Sequence, residues 1–313
     1  MNDAAAKRAR EDAPAWDGER FGQRQDSARL YVLIARAAPV AAVLRRGPGT
    51  QTALLKWDLE TDELTLGQWV QSRVYERRCD LSPDGKYFMY FAARHKGPLN
   101  SWTAVSILPW FRACVLWQKN DAWGGGGFFG EDGNIELNHR PNVEFEYDIH
   151  MGHLPKPWKS YGPRGEYSGG GEDEPIQTYR QAHEGWEITE RPSKVGFARG
   201  GPFGWVTEGA LVREKHGPDD VVLRMIDDEH SEANGRSYLT ECQIVRGDTH
   251  RSFGRVDWAD WHGDTLLFAR NGCLWRLSAL FEGAPELVAD LNAMTYEAIK
   301  APYAGAQKEP WTP

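Results

Sequence analysis

The chain has 313 residues, 41% of them hydrophobic and 26% charged, enough to bury a large core in one big domain or two small ones. Its 37 basic residues against 45 acidic ones leave a net charge of −8. That argues against a general nucleic-acid binder, whose surface must neutralise phosphates, and no apolar run approaches the ~18 residues of a membrane-spanning helix, so neither nucleic acid nor membrane is an expected partner.

Residues 1–27 are charged and Ala-rich and poor in large apolar side chains, so a disordered arm or frayed helix is expected there. Lys7, Arg8 and Arg10 are not followed by an apolar stretch, and no secretory signal is read. From residue 28 the texture changes to short apolar runs of strand length bounded by turn residues. The first group is RLYVLIARA, PVAAVLRRG, TALLKWDL and ELTLGQWV, the last pair joined by ETDE. The second is YERRCDL, KYFMYFAARH, SWTAVSIL and RACVLWQ. Its SPDG joint reads as a tight turn, with Pro83 presetting φ and Gly85 supplying a positive one.

A third unit over 124–190 opens with GGGGFFGEDGNIELNH and ends near GWEITERP. It carries an insertion at 151–182, dense in Pro, Gly and charge, that reads as a long irregular loop. A fourth unit fits 196–246. The last is RVDWADW, TLLFAR, CLWRLSA and ELVADL, with HGD and NG as hairpin joints. Helix signals are scarce: one turn at 277–283, and a short helix at 292–302 that Pro302 would stop. Residues 292–313 read as a tail.

The groups look like copies of one unit; CDLSPDGKYFMYF and ADWHGDTLLFA each place an acidic residue (Asp80, Asp260) before a turn and an apolar strand. An all-β fold follows, and four antiparallel strands repeated radially make a β-propeller. Here the units resemble blades of the WD40 and TolB-like propeller families, chiefly through the SPDG turn and the strand after it, residues 82–91. The resemblance spans 28–291 loosely and implies an architecture, not an activity. Five blades are counted, with four or six, or a β-sandwich, as alternatives.

The chemistry-bearing stretch is VEFEYDIHMGH, 143–153. As a strand it puts Glu144, Glu146, Asp148 and His150 on one face, with His153 just beyond. That face is either the wet side of a strand, a metal site or an acid–base pair such as Glu146 and Asp148. As a metal site it would use Asp148, His150 and His153, with His139 as a fourth ligand, and this mixed set suits zinc or manganese. Asp80, Asp257 and Asp260 form a second acidic set. Some five-bladed propellers are glycoside hydrolases with carboxylates in the central channel, so the resemblance implies that reading for these three.

In the insertion, Trp158, Tyr161 and Tyr167 with Lys159 and Arg164 could stack on a sugar, base or peptide. The glycine runs 124–127 and 169–171 lack the Lys and Ser/Thr of a phosphate loop and read as turns or joints. Four widely spaced cysteines without a CxxC pair read as buried free thiols, pointing to the cytoplasm. The expectation is a non-enzymatic propeller scaffold that binds another protein or a small ligand through Trp158, Tyr161, Arg164 and Tyr167. The alternative is a hydrolase, glycoside-directed or metal-assisted.

Overall fold

The computed structural model describes residues 27–303 except 48, 50, 98, 120, 131–132, 142–149, 172, 198–204 and 229–238. Strand accounts for 50% of the chain and helix for 6%, so the all-β class expected from the sequence is what forms. None of the helices among the described residues is long and apolar enough to cross a membrane.

The chain divides into two compact units. Among the described residues, one comprises 31–184 with 293–303. Its first sheet is a four-strand antiparallel meander of Arg29–Ile34, Val40–Arg46, Thr52–Asp58 and Leu64–Val70, whose first two residues fall to the other unit. The ETDE joint turns through Asp62 in the left-handed region, φ 58°. A second, six-stranded sheet contains the antiparallel run Tyr87–Ala93, Ser101–Ile107 and Ala113–Lys119. It is entered through the SPDG turn: Gly85 N–H donates to Ser82 O at 2.8 Å, and the Ser82 hydroxyl accepts from Tyr87 N–H at 2.8 Å.

Tyr87–Ala93 is buried at every position, which explains why its sequence is a continuous apolar run instead of an alternating one. Its period of two divides the unit's interior. Phe88, Tyr90 and Ala92 join one core with Trp102, Ala104 and Leu116, while Tyr87 and Met89 join a second with Val105, Val115 and Trp117.

The third group departs from the expected four antiparallel strands. Gly127–Phe129 pairs antiparallel with Asn134–Leu137, but the next partner of Asn134–Leu137 is Ser160–Pro163, and it runs parallel. Parallel neighbours need a long crossover, and residues 138–159 supply it. Strand His150–Gly152 is drawn off to pair with Ala113–Lys119 of the second group. The insertion at 151–182 therefore contains most of strand His150–Gly152, strand Ser160–Pro163 and all but the last residue of α1, Ile176–His183.

Among the described residues, the other unit comprises 27–30 and 185–292. It contains a five-stranded antiparallel sheet ordered Glu187–Glu190, Leu211–His216, Val222–Asp228, Leu239–Arg246, Thr249–Val256. It also has a pair, Ser193–Phe197 with Trp205–Glu208, and a four-strand meander, Trp258–His262, Thr265–Arg270, Cys273–Leu277, Glu286–Asp290. The NG joint is a hairpin turn with both central residues left-handed, Asn271 at φ 55° and Gly272 at φ 75°. Phe253, Phe268, Trp275 and Trp261 pack its core.

Within 277–283, residues 279–283 form a single turn, closed by Gly283 N–H donating to Ala279 O at 2.8 Å. The helix expected at 292–302 does not form. A segment that short is marginal as a helix, and its groups find other partners: the Gln68 amide donates to Ile299 O at 3.1 Å, and Trp69 meets Tyr296 edge-on at 6.1 Å. All four cysteines are free, and burial raises the Cys79 and Cys242 thiols above their usual range.

Candidate recognition surface

Four residues of the insertion were singled out by composition, and the fold gives them different places. Trp158 is a core residue, 8% exposed, its ring 4.6 Å from Phe129. Tyr161 is half-buried, edge-on to Trp117 at 5.0 Å. The Arg164 guanidinium pairs with Glu136 at 2.8 Å and lies 4.6 Å over Tyr179. Tyr167 alone stands free of the core, 74% exposed. The physical reason is the parallel strand Ser160–Pro163, which ties the first half of the supposed loop into a sheet.

Tyr167 has a neighbour that sequence reasoning missed. Trp123, 40% exposed, donates its indole N–H to Gly170 O at 3.1 Å, and Gly170 N–H donates to Tyr167 O at 3.2 Å. The two aromatics therefore stand on two adjoining loops joined by that bond. Large apolar side chains this exposed are few among the described residues; the other is Tyr296.

The turn rests on a buried polar scaffold. Asn138 organises it with both side-chain atoms: Oδ1 accepts from Gly169 N–H at 2.8 Å and Nδ2 donates to Gly125 O at 3.2 Å. Its backbone pairs with Gly125 and Gly126 at 2.7 and 2.8 Å. Thr103 Oγ1 accepts from Gly126 N–H at 2.8 Å and lies 2.9 Å from His139 Nε2. Below, Arg78, 1% exposed, donates from Nη1 to Ala122 O and Gly124 O at 2.7 and 2.5 Å and from Nε to Asp173 at 2.7 Å.

Glycine is required where the two loops meet. Gly124, at φ +72°, would place a Cβ 2.7 Å from Gly169 Cα, and Gly126, at φ +78°, would place one 2.0 Å from Arg78 O. The glycine runs that read as joints are thus a close-packed, hydrogen-bonded seat beneath two exposed rings. Such a seat holds the rings in place before a partner arrives, which lowers the ordering cost of binding. Exposed Arg140, which donates to Gly169 O at 3.5 Å, Asp121, which accepts from Trp123 N–H at 2.9 Å, and Glu166, next to Tyr167, put charges of both signs beside the rings.

The other candidates are dispersed. Of the metal set, Asp148 lies outside the described residues with Glu144 and Glu146, and His150 is placed by its backbone only, opposite Trp117. His153 is exposed, its N–H donating to Cys114 O at 3.0 Å, whereas His139 is fully buried. Among the described residues no three His, Cys, Asp or Glu gather as a metal site would need.

Of the acidic set, Asp80 belongs to one unit and Asp257 and Asp260 to the other. Asp260 pairs with Lys215 at 2.6 Å and caps Trp261 N–H at 2.7 Å. Asp80 is 1% exposed, accepts from Phe129 N–H at 2.7 Å and faces Arg36 Nη1 at 3.4 Å. Burial nonetheless pushes its carboxyl up to about 6, with Arg36 and the Phe129 N–H pulling it back.

No family model and no curated protein matches the chain. Among solved structures it is similar to an uncharacterised protein of Listeria monocytogenes EGD-e, at 9% identity over 90% of this chain and 87% of that one, with a TM-score of 0.27.

Proposed function

We propose that this protein is a non-enzymatic binding scaffold that captures a segment of another protein on the surface formed by Trp123 and Tyr167. One observation carries the reading: two exposed rings stand on adjoining loops, joined by the Trp123 indole bond to Gly170 O and held by Asn138, Thr103 and Arg78. Exposed aromatics are the residues that dominate interface energetics, and a rigid seat keeps them from collapsing onto the surface. We further propose that the recurring four-strand meanders are blades of a five-bladed propeller of the WD40/TolB-like kind, working in the cytoplasm, in keeping with four free thiols.

The test is quantitative affinity capture with the wild type and with Trp123→Ala/Tyr167→Ala, after matching the two proteins by thermal melting. The double variant is expected to lose at least about tenfold of one discrete partner, as removing two interface anchors implies, while its melting temperature holds. Equal recovery by both proteins defeats the reading.

A hydrolase reading has one observation in its favour, the Asp80 carboxyl raised toward neutrality, where acid–base groups work. Both Asp80 oxygens, however, face protein donors, and the residue is buried. The metal-assisted form, with zinc or manganese on Asp148, His150, His153 and His139, predicts near-stoichiometric metal by elemental mass spectrometry, lost in His150→Ala and His153→Ala.

A further inference from the structure

Thr249–Val256 is the last strand of its five-stranded sheet, and among the described residues its outer edge pairs with no other strand. A cleft of about 400 Å³ runs along it, lined by Thr249, His250, Arg251, Ser252 and Phe281. Side chains of a strand alternate between faces, so a cleft over one face meets residues two apart. Four consecutive residues line this one, which puts it along the edge, where the backbone itself is presented. The register says which backbone groups face outward. Arg246 pairs with Thr249 across a loop of only Gly247 and Asp248, and a hairpin that tight is closed by a pair exchanging both of its hydrogen bonds. The pattern then alternates. Arg251 bonds inward to Ile244, while His250 and Ser252, opposite Val245 and Gln243, turn N–H and C=O to the open side. The register then skips Phe253, and the regular edge stops there.

Two guanidiniums frame the cleft. Arg251 donates from Nη1 to Leu280 O at 2.8 Å, and Arg246 lies 4.7 Å over the Phe281 ring. Both contacts tie the turn at 279–283 to the hairpin, so cation and aromatic wall are held together. None of the lining residues is acidic, although the chain as a whole carries a net charge of −8. Asp248 at the hairpin tip and Glu282 next to Phe281 lie outside the lining. Glu241 on the neighbouring strand is occupied, accepting from Ser252 Oγ at 3.1 Å and from Gln243 Nε2 at 2.9 Å. The charge also selects the occupant. A second copy of the same edge, added antiparallel and centred on Arg251, would set that guanidinium against its own image, and like charges directly opposite are destabilising. A carboxylate-bearing strand meets the opposite sign.

We propose that this edge takes an extended acidic peptide segment as a sixth strand of the sheet. The segment pairs with the outward N–H and C=O groups of His250 and Ser252 and sets its carboxylates against Arg246 and Arg251. The main-chain bonds hold any extended chain, and the arginines choose an acidic one. Trp123 and Tyr167 belong to the other unit, and the strand edge does not rest on them.

The experiment uses the full-length protein and short fluorescent peptides of alternating Glu and Val, capped at both ends, with binding read by anisotropy. The Glu-Val peptide is expected to bind and to slow hydrogen exchange across 249–252; its Lys-Val counterpart is expected to bind more weakly. Two N-methylated forms of the Glu-Val peptide, each blocking one alternate set of amides, keep the charge and remove edge bonds. The form blocked on the pairing side is expected to lose at least about tenfold, as two hydrogen bonds of ordinary strength imply. On the protein, His250→Pro removes an outward N–H where an edge strand tolerates proline, and is expected to weaken binding similarly. His250→Ala keeps that N–H and is expected to stay within about fivefold, the scale of one exposed charge. Should His250→Pro not fold, the methylated peptides decide the matter on the wild type. No binding of the Glu-Val peptide overturns the proposal, and so does equal binding of the parent and both methylated forms. Displacement of the peptide by inorganic phosphate at equal concentration also overturns it, because the cleft would then be a small-anion site.

Discussion

Asp80 shows how a residue's chemistry is decided by its surroundings. Its sequence setting, before an SPDG turn, gives no hint that the carboxyl meets Phe129 N–H and Arg36. Its pKa lies at about 6, above the ordinary carboxylate value, with burial as the main cause. A raised folded-state value means that the group's contribution to stability is present at low pH and is lost as pH rises through about 6. The ionised form then costs on the order of 3 kcal/mol relative to the neutral one, at about 1.4 kcal/mol per unit. Asp80→Asn keeps a hydrogen-bonding side chain without the charge. Urea denaturation between pH 5 and 8 should find its stability flatter with pH than the wild type's, and no lower at pH 8. A steeper dependence would contradict the assignment. Trp158 and Tyr167 make the second contrast at this scale. Trp158→Ala should lose about 3–5 kcal/mol by emptying a core site. Tyr167→Ala should stay within about 0.5 kcal/mol, as an exposed substitution does. Denaturation midpoints of the two variants decide it.

Elements were legible where local chemistry and tertiary pairing agree. The SPDG, ETDE, HGD and NG joints turn where they were read, because the left-handed residues they need, among them Asp62, Gly85, Gly263 and Asn271, are present. The third group was not legible. Its parallel pairing of Asn134–Leu137 with Ser160–Pro163 is a long-range choice that no run of residues announces. The glycine seat was hidden for the opposite reason. Gly124–Gly127 and Gly169–Gly171 are visible in the sequence, but flexible joint and close-packed seat share one composition, and only Asn138 distinguishes them. An Asn-His pair beginning eleven residues after the last glycine of WGGGG was the available signal. Gly126→Ala tests the seat. A methyl at φ +78° and 2.0 Å from Arg78 O should cost on the order of 3 kcal/mol or more, through strain and displaced packing. A Gly126→Ala protein as stable as the wild type would mean that the seat is loose.

At the scale of the whole molecule, the sequence announced an all-β chain, and strands in several antiparallel sheets are what form. Composition could not say which aromatics end inside. With 14 tryptophans, most must pack, and the surface is marked by the exceptions. Trp158 was expected outside and is core; Trp123 went unnoticed and is exposed. The central claim is that the surface carrying Trp123 and Tyr167 meets a protein partner. Its most direct test is a benzophenone side chain incorporated at position 167, and separately at position 296, whose native tyrosine is also exposed. After irradiation in the native cell extract, the account predicts one discrete covalent adduct from 167 and none from 296. No adduct from 167, or the same pattern from both positions, would contradict it.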